Sequence, residues 1–97
     1  MPDNTDNMVT LVTRHYYGER KATRFPDAFA AHHALMVSAD RWGYTVGHDG
    51  TPPVPGTMSG IFTVEGRFRF RGDWIIGPVS MENAMTVRNW PPTRMEL

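Results

Sequence analysis

The sequence contains no cysteine. A secreted domain of this size usually depends on disulfides, so their absence favours a reducing compartment or a core that is stable without them, and we expect a cytoplasmic protein. The same absence excludes catalysis by a thiolate and zinc sites built from thiolates.

Long apolar runs are missing as well. No stretch approaches the ~20 apolar residues that a membrane-spanning helix needs. Residues 1–7 have neither the basic nor the apolar region of a signal peptide. We therefore expect no membrane partner.

A charge excess of either sign is also absent. Ten basic and ten acidic residues give a formal net charge of zero. Proteins that bind nucleic-acid phosphates normally carry a positive excess, because counterion release drives that binding. The balance disfavours nucleic acid as the main partner but leaves a local basic patch open.

What is present fits one globular domain. The chain has 97 residues, of which 40% are hydrophobic and 21% charged, and both fractions are near globular averages. We predict a disordered N-terminal tail over residues 1–7, a single domain over residues 8–88 and an extended C-terminal tail over residues 89–97.

The first half of the domain predicts a hairpin followed by a helix. Residues 8–17 and 20–25 are β-rich on either side of Gly18-Glu19, which predicts two antiparallel strands. Helical spacing of apolar residues then predicts a main helix over about 26–42, with Pro26 at its first position and Gly43 closing it. The predicted inward stripe, which leaves Ala31 and Ser38 outside it, is Ala28, Phe29, His32, Leu35, Met36 and Ala39.

The second half predicts a β-meander. A short strand is expected at 44–46, a loop at 48–60, and three strands at 61–64, 67–71 and 74–76. Glu65-Gly66 and Gly72-Asp73 are the predicted turns. Residues 80–88 fit a short C-terminal helix or a strand equally well. The predicted fold class is α+β, a small antiparallel sheet with one helix packed on one face.

An alternating segment, Arg67-Phe68-Arg69-Phe70-Arg71, is the strongest local pattern. On a strand, the two phenylalanines share one face and the three arginines the other. The arginines then form either a solvated face or a row that binds an acidic partner or a phosphodiester backbone.

Aromatic residues are numerous for so small a core, with three tryptophans and three tyrosines. Tryptophan, tyrosine and arginine are enriched at protein interfaces. The predicted partner-binding residues are therefore Tyr16, Trp42, Trp74, Trp90, Arg67, Arg69 and Arg71.

Recognisable catalytic and metal motifs are lacking. His32 and His33 are adjacent and point about 100° apart on a helix, so they cannot chelate one ion together. Ser59 lies one position late for a Gly-x-Ser-x-Gly nucleophile elbow. We predict no catalytic residue, no metal site and no cofactor.

Three functional hypotheses follow. The first is a non-enzymatic protein–protein interaction or regulatory module, a bacterial or phage accessory protein that binds another protein or a second copy of itself as a homodimer. The second is a single-stranded nucleic-acid binder that uses Arg67, Arg69 and Arg71. The third is a small enzyme or ligand-binding domain around the Gly47–Gly60 loop, with His48 and Asp49 at its rim.

Overall fold

The computed structural model describes residues 8–16, 20–52, 56–64 and 69–82. Within these ranges the chain forms five strands and one α-helix, followed by a 3-10 turn at Val79–Met81. In chain order the elements are β1 (Val9–His15), β2 (Arg20–Phe25), α1 (Ala28–Trp42), β3 (Thr45–His48), β4 (Met58–Val64) and β5 (Arg69–Pro78).

The strands form one antiparallel sheet in the order β2-β1-β5-β4-β3. The last strand, β5, therefore lies at the centre, between β1 and β4. The α1 helix packs on one face of this sheet, which confirms the predicted α+β class. The predicted tails, the turns at Gly18-Glu19 and Glu65-Gly66, and most of the segment 80–88 lie outside the described residues.

The ends of α1 follow from its local sequence. Asp27 is the N-cap, because its carboxylate accepts a hydrogen bond of 2.8 Å from the backbone N–H of Ala30. Pro26 thus precedes the helix, so its predicted place at the first helical position is wrong. At the other end Gly43 adopts a left-handed conformation with φ of 77°. The N–H groups of Gly43 and Tyr44 then bond to the carbonyls of Asp40 and Ala39 and end the helix, as predicted for Gly43.

The buried face of α1 is narrower than predicted. Ala31, Leu35 and Ala39, spaced four residues apart, are the buried helix residues. Phe29 is 82% exposed and Met36 is 42% exposed, so both predicted core positions are wrong. The reason is size: alanines on either side of Leu35 let the helix approach a sheet that already presents large side chains.

The sheet buries side chains on both faces. On the helix face, the core that meets the buried stripe of α1 consists of Leu11, Phe62, Trp74 and Ile76. On the opposite face Val12 and Ile75 are buried and Met81 packs against them. Because successive side chains of a strand point to opposite faces, neighbours such as Trp74 and Ile75 enter different cores.

The predicted turn at Gly72-Asp73 is wrong, since β5 runs through both residues. Asp73 is fully buried and forms an ion pair with Arg14 on β1. Phe62 pairs with Gly72 and Thr63 with Phe70, so β5 carries one extra residue there, a β-bulge. In place of the three short strands predicted at 61–64, 67–71 and 74–76, the structure has two longer strands, β4 and β5.

Glycine is required at the bulge. Gly72 has φ of 153°, and a Cβ there would clash with the backbone carbonyl oxygen of Arg14. The close approach of β1 to β5 therefore depends on this residue.

Glu82, the last described residue, is hydrogen-bonded to the β1–β2 hairpin. Its carboxylate accepts hydrogen bonds from Thr10 on β1 and from Arg24 on β2, and its backbone carbonyl accepts one from Arg20. The hydrogen bond from Arg24 lowers the pKa of Glu82, and the bond to Thr10 adds to this effect. These contacts anchor β2 on the face opposite α1.

Candidate functional site

A cleft of about 470 Å³ lies between α1 and the β1–β2 hairpin. This volume is within the range of small-ligand and side-chain pockets. The sheet side of the cleft is formed by Leu11, Thr13, His15, Arg20, Lys21, Thr23 and Phe25. The helix side is formed by Ala34, Leu35, Ser38 and Trp42.

The cleft exists because small side chains face each other across it. Thr13 and Thr23 lie on the sheet beneath Ala34 and Ser38 of the helix. None of the four is long enough to close the gap between helix and hairpin. The cleft is thus a consequence of local residue size along two facing elements.

Aromatic rings close one end of the cleft. The rings of His15 and Trp42 meet edge to face with centroids 4.5 Å apart. His15 Nδ1 lies 3.3 Å from the hydroxyl of Tyr44, and its ring stacks on Phe62 at 6.2 Å. These contacts fix His15, while Trp42 remains 41% exposed at the mouth.

Burial lowers the pKa of His15 below its ordinary value. The imidazole is therefore neutral at neutral pH. One of its ring nitrogens can donate a hydrogen bond and the other can accept one. The formal charge inside the cleft comes from Lys21, because the guanidinium of Arg20 bonds to Glu82 on the opposite face of the sheet.

The lining of the cleft is basic. None of its described lining residues is acidic. Arg20 is also held by the carbonyl of Glu82 at 3.1 Å. Lys21 is exposed and has no ion pair with any residue in the described part of the chain. A ligand in the cleft would therefore meet an ammonium group that is available for pairing.

The β2 strand is an edge of the sheet. It pairs with β1 on one side, and among the described residues no strand pairs with its other side. Five of its six residues are exposed. The cleft therefore opens beside a row of backbone N–H and C=O groups that faces outward.

The structure separates the predicted partner-binding residues. Trp42 lies at the cleft. Tyr16 lies on the face opposite α1, where its ring meets that of Phe70 edge to face at 5.7 Å. Trp74, another predicted binding residue, is fully buried, and its indole N–H donates to the carbonyl of Gly47 at 3.2 Å. Arg67 and Trp90 lie outside the described residues.

The predicted row of arginines is interrupted. Arg71 is the extra residue of the β-bulge, so it does not follow Arg69 at the regular two-residue spacing. Arg69 is exposed and Arg71 is half-buried, with its guanidinium 3.4 Å from the carbonyl of Phe70. The bulge removes the geometric basis for a straight track of these two arginines along a phosphodiester backbone.

The Gly47–Gly60 segment is more ordered than the predicted loop. His48 ends β3, and β4 begins at Met58. The Asp49 carboxylate accepts a hydrogen bond of 2.6 Å from Ser59, which ties the two sides of the segment together. The cleft of about 470 Å³ does not lie at this segment but between α1 and the β1–β2 hairpin.

Sequence reasoning missed Lys21, Thr23, Ser38 and His15 as cleft residues. One signal was available: residues 20–25 contain a single large apolar side chain, Phe25, which is typical of an edge strand. The small helix residues that open the cleft give no signal until the helix is placed on the sheet.

In the part of the chain that the structure describes, no helix has the length and apolar character required to cross a membrane.

Comparison with known proteins finds no relative of this chain. No family model matches the sequence, and no curated protein or solved structure matches it.

Proposed function

We propose that this chain is a protein-binding module that receives an extended, acidic and apolar segment of another protein along β2. The segment pairs with the outer edge of β2 and inserts one apolar side chain into the cleft beside Trp42. The observation that carries this proposal is the position of the cleft next to an outward-facing strand edge. Strand addition of this kind takes affinity from backbone bonds and specificity from side-chain pockets.

Charge supports an acidic partner. Lys21 lies on the edge strand at the cleft and has no ion pair among the described residues. An aspartate or glutamate next to the inserted side chain would meet the ammonium group of Lys21. Electrostatic complementarity of this kind mainly raises the association rate and selects the partner.

The arrangement of His15 supports binding without catalysis. Its Nδ1 is engaged by Tyr44, and within the described structure neither Thr13 nor Ser38 is hydrogen-bonded to it. A nucleophile paired with a base would require such a bond. The lack of cysteine supports action in a reducing compartment, which we take to be the cytoplasm.

A displayed library of random linear peptides tests the proposal. We expect the selected peptides to share an apolar residue flanked by aspartate or glutamate. Lys21→Glu should weaken their binding about tenfold, equivalent to about 1.4 kcal/mol. Arg69→Glu, an equal charge change on β5 outside the cleft, should leave affinity nearly unchanged.

Filling the cleft with a larger side chain tests the contribution of the pocket to binding separately from the contribution of charge. Ala34→Phe places a ring in the cleft and should abolish selection, whereas Met36→Phe places one on the exposed side of the same helix and should not. Equal binding by both variants would exclude the cleft as the site. Peptides selected without an acidic residue would exclude the proposed partner chemistry.

Backbone pairing is tested by N-methylation of a selected peptide. Each residue of the peptide is methylated in turn on its amide nitrogen. Because only every second N–H of an added strand points at β2, we expect affinity to fall at alternate positions. A uniform effect would rule out strand addition.

A further inference from the structure

A small apolar pocket of about 180 Å³ lies beside the first turn of α1. Its lining comes from the chain at the starts of β1, α1 and β4 and at the end of β5. The lining residues have no charged or polar side chain, and they are Met8, Val9, Ala28, Gly56, Met58, Ile76, Gly77 and Pro78. None of them lines the larger cleft beside Trp42. The pocket is therefore separate from that cleft, and its chemistry selects an apolar occupant.

The size of the pocket suits one aromatic ring. A cavity of about 150 Å³ lined by apolar side chains binds one benzene molecule. A pocket of about 180 Å³ thus admits a six-membered ring with little space to spare. Its mouth is open to solvent, since Ala28, Met58 and Pro78 are all exposed. A ring can therefore enter from outside without a change of backbone.

Phe29 belongs to the same patch of surface. It follows Ala28, a lining residue, in the first turn of α1, and it is 82% exposed. Its backbone is held in place because Asp27 caps the helix immediately before it. Met58, on the wall of the pocket, is 39% exposed. A protruding ring and a recess of ring size therefore lie side by side.

We propose that the chain forms an isologous dimer in which Phe29 of each copy enters the pocket of the other copy. A two-fold interface requires a patch that is complementary to itself, and a ring beside a ring-sized recess meets this requirement. The pocket has no charged lining residue and the chain has a net charge of zero, so long-range repulsion does not oppose the approach of two copies. Residues 1–7, which precede the pocket in the chain, contain no aromatic side chain that could fill it instead.

The area of this contact sets the strength of the dimer. One buried phenylalanine removes about 150–250 Å² from water, so two rings and the pocket walls that receive them bury roughly 600–1,000 Å² in total. Stable specific interfaces bury about 1,200–2,000 Å². Met58 at the rim adds to the apolar contact. We therefore expect a reversible dimer that forms at high protein concentration, not an obligate one.

Sedimentation equilibrium of the full chain between about 10 µM and 1 mM tests the dimer. We expect the mean mass to rise toward twice that of the monomer. Phe29→Ser should raise the dissociation constant about thirtyfold or more, as truncation of a central aromatic residue does at protein interfaces. Because this ring is exposed in the monomer, the variant should fold normally. Val37→Ser is the matched control, since Val37 is 46% exposed on the same helix but about 80° around its axis from Phe29, and it should dimerise as wild type does.

A second variant tests the recess separately from the ring. Ala28→Leu keeps Phe29 and fills the pocket from its own wall. It should weaken dimer formation as Phe29→Ser does. A dimer of wild-type strength in Ala28→Leu would exclude the pocket as the receiving site.

Isotope-filtered NMR identifies the contact directly. One preparation carries ¹³C-methyl methionine, the other carries protonated phenylalanine rings in a deuterated background, and equal amounts are mixed. A nuclear Overhauser effect between a phenylalanine ring and the Met58 methyl group can then arise only between copies. We expect this signal in wild type and its loss when the ring-labelled copy carries Phe29→Ser.

A chain that stays monomeric at about 1 mM would overturn the proposal and assign the pocket to another occupant, a different protein or a segment of the same chain. A dimer unaffected by Phe29→Ser, or one without the signal at Met58, would overturn it as well. Ala34→Phe, which fills the larger cleft, should leave dimer formation unchanged. The peptide-binding proposal and the dimer can therefore fail independently.

Discussion

At the scale of single residues, the path of the Trp74 indole leaves room for no residue other than glycine at position 60. Trp74 and Gly60 are directly paired across β5 and β4, and the indole passes over Gly60 to reach the carbonyl of Gly47. A Cβ at Gly60 would collide with the Gly47 carbonyl oxygen and would stand 2.8 Å from the indole nitrogen. No shift of a flexible side chain relieves the backbone contact.

We therefore expect Gly60→Ala to lower the free energy of unfolding by about 3 kcal/mol, the upper part of the range for overpacked cores. Gly47→Ala is the matched control, because its Cβ would meet Ile61 at an ordinary 3.5 Å; it should change stability by about 0.5 kcal/mol or less. Urea unfolding followed by circular dichroism measures both. Equal midpoints for the two variants would contradict this account of Gly60.

Residue chemistry also explains one failure of sequence reasoning. Gly72-Asp73 has the composition of a turn, because both residue types favour turns locally. In the structure Arg14 donates two hydrogen bonds to the Asp73 carboxylate, of 3.3 Å and 3.2 Å. That partner is 59 residues away, so no local pattern reveals it.

At the scale of elements, α1 could be predicted because its end signals are local. Asp27 and Gly43 lie at the helix ends and act within one turn of themselves. Its buried face could not be predicted so well. Hydrophobicity selected Phe29 and Met36, whereas the closeness of the sheet selected Ala31 and Ala39.

The N-cap supplies a prediction for the helix. Asp27→Ala removes the bond to the Ala30 N–H and should cost about 1 kcal/mol of stability. Asp40→Ala is the control at the opposite end of the same helix. An exposed carboxylate there opposes the helix dipole, so its removal should be neutral or stabilising by about 0.3 kcal/mol. Denaturant unfolding that shows equal losses for both would contradict the capping role.

At the scale of the whole molecule, the sequence could predict the class of fold but not the order of its strands. The hairpins are local, whereas the pairing of β1 with β5 joins Val9 to Pro78. The cleft depends on this assembly, because Leu11 and Leu35 become neighbours only when the helix lies on the sheet. Trp42 was predicted from composition, but its position beside His15 was not.

Stability as a function of pH tests this assembly through His15. Burial holds its folded-state pKa below the ordinary value of 6.5. The unfolded chain therefore binds more protons as pH falls below about 6.5, and the stability that His15 contributes is complete above this value and lost at lower pH. His32, whose pKa is also lowered, acts in the same direction.

We expect the free energy of unfolding of wild type to fall between pH 7.5 and 5.5, and to fall less steeply in His15→Phe. Phenylalanine keeps a ring against Trp42 and Phe62 but does not titrate. His33→Phe, which changes an exposed histidine of the same protein, should keep the wild-type slope. A His15→Phe slope equal to that of wild type would show that the burial of His15 is not linked to folding.

The central position of β5 also determines when the sheet can form during synthesis on the ribosome. The hairpin β1–β2 and the helix leave the exit tunnel first, yet β1 finds its second neighbour only after residues 69–78 have emerged. Until then Leu11 and Val12 project from the two faces of a strand with an open edge. We therefore expect a chain truncated before β5 to be recognised by chaperones and proteases, because β1 keeps an open edge and exposed apolar side chains until β5 has emerged.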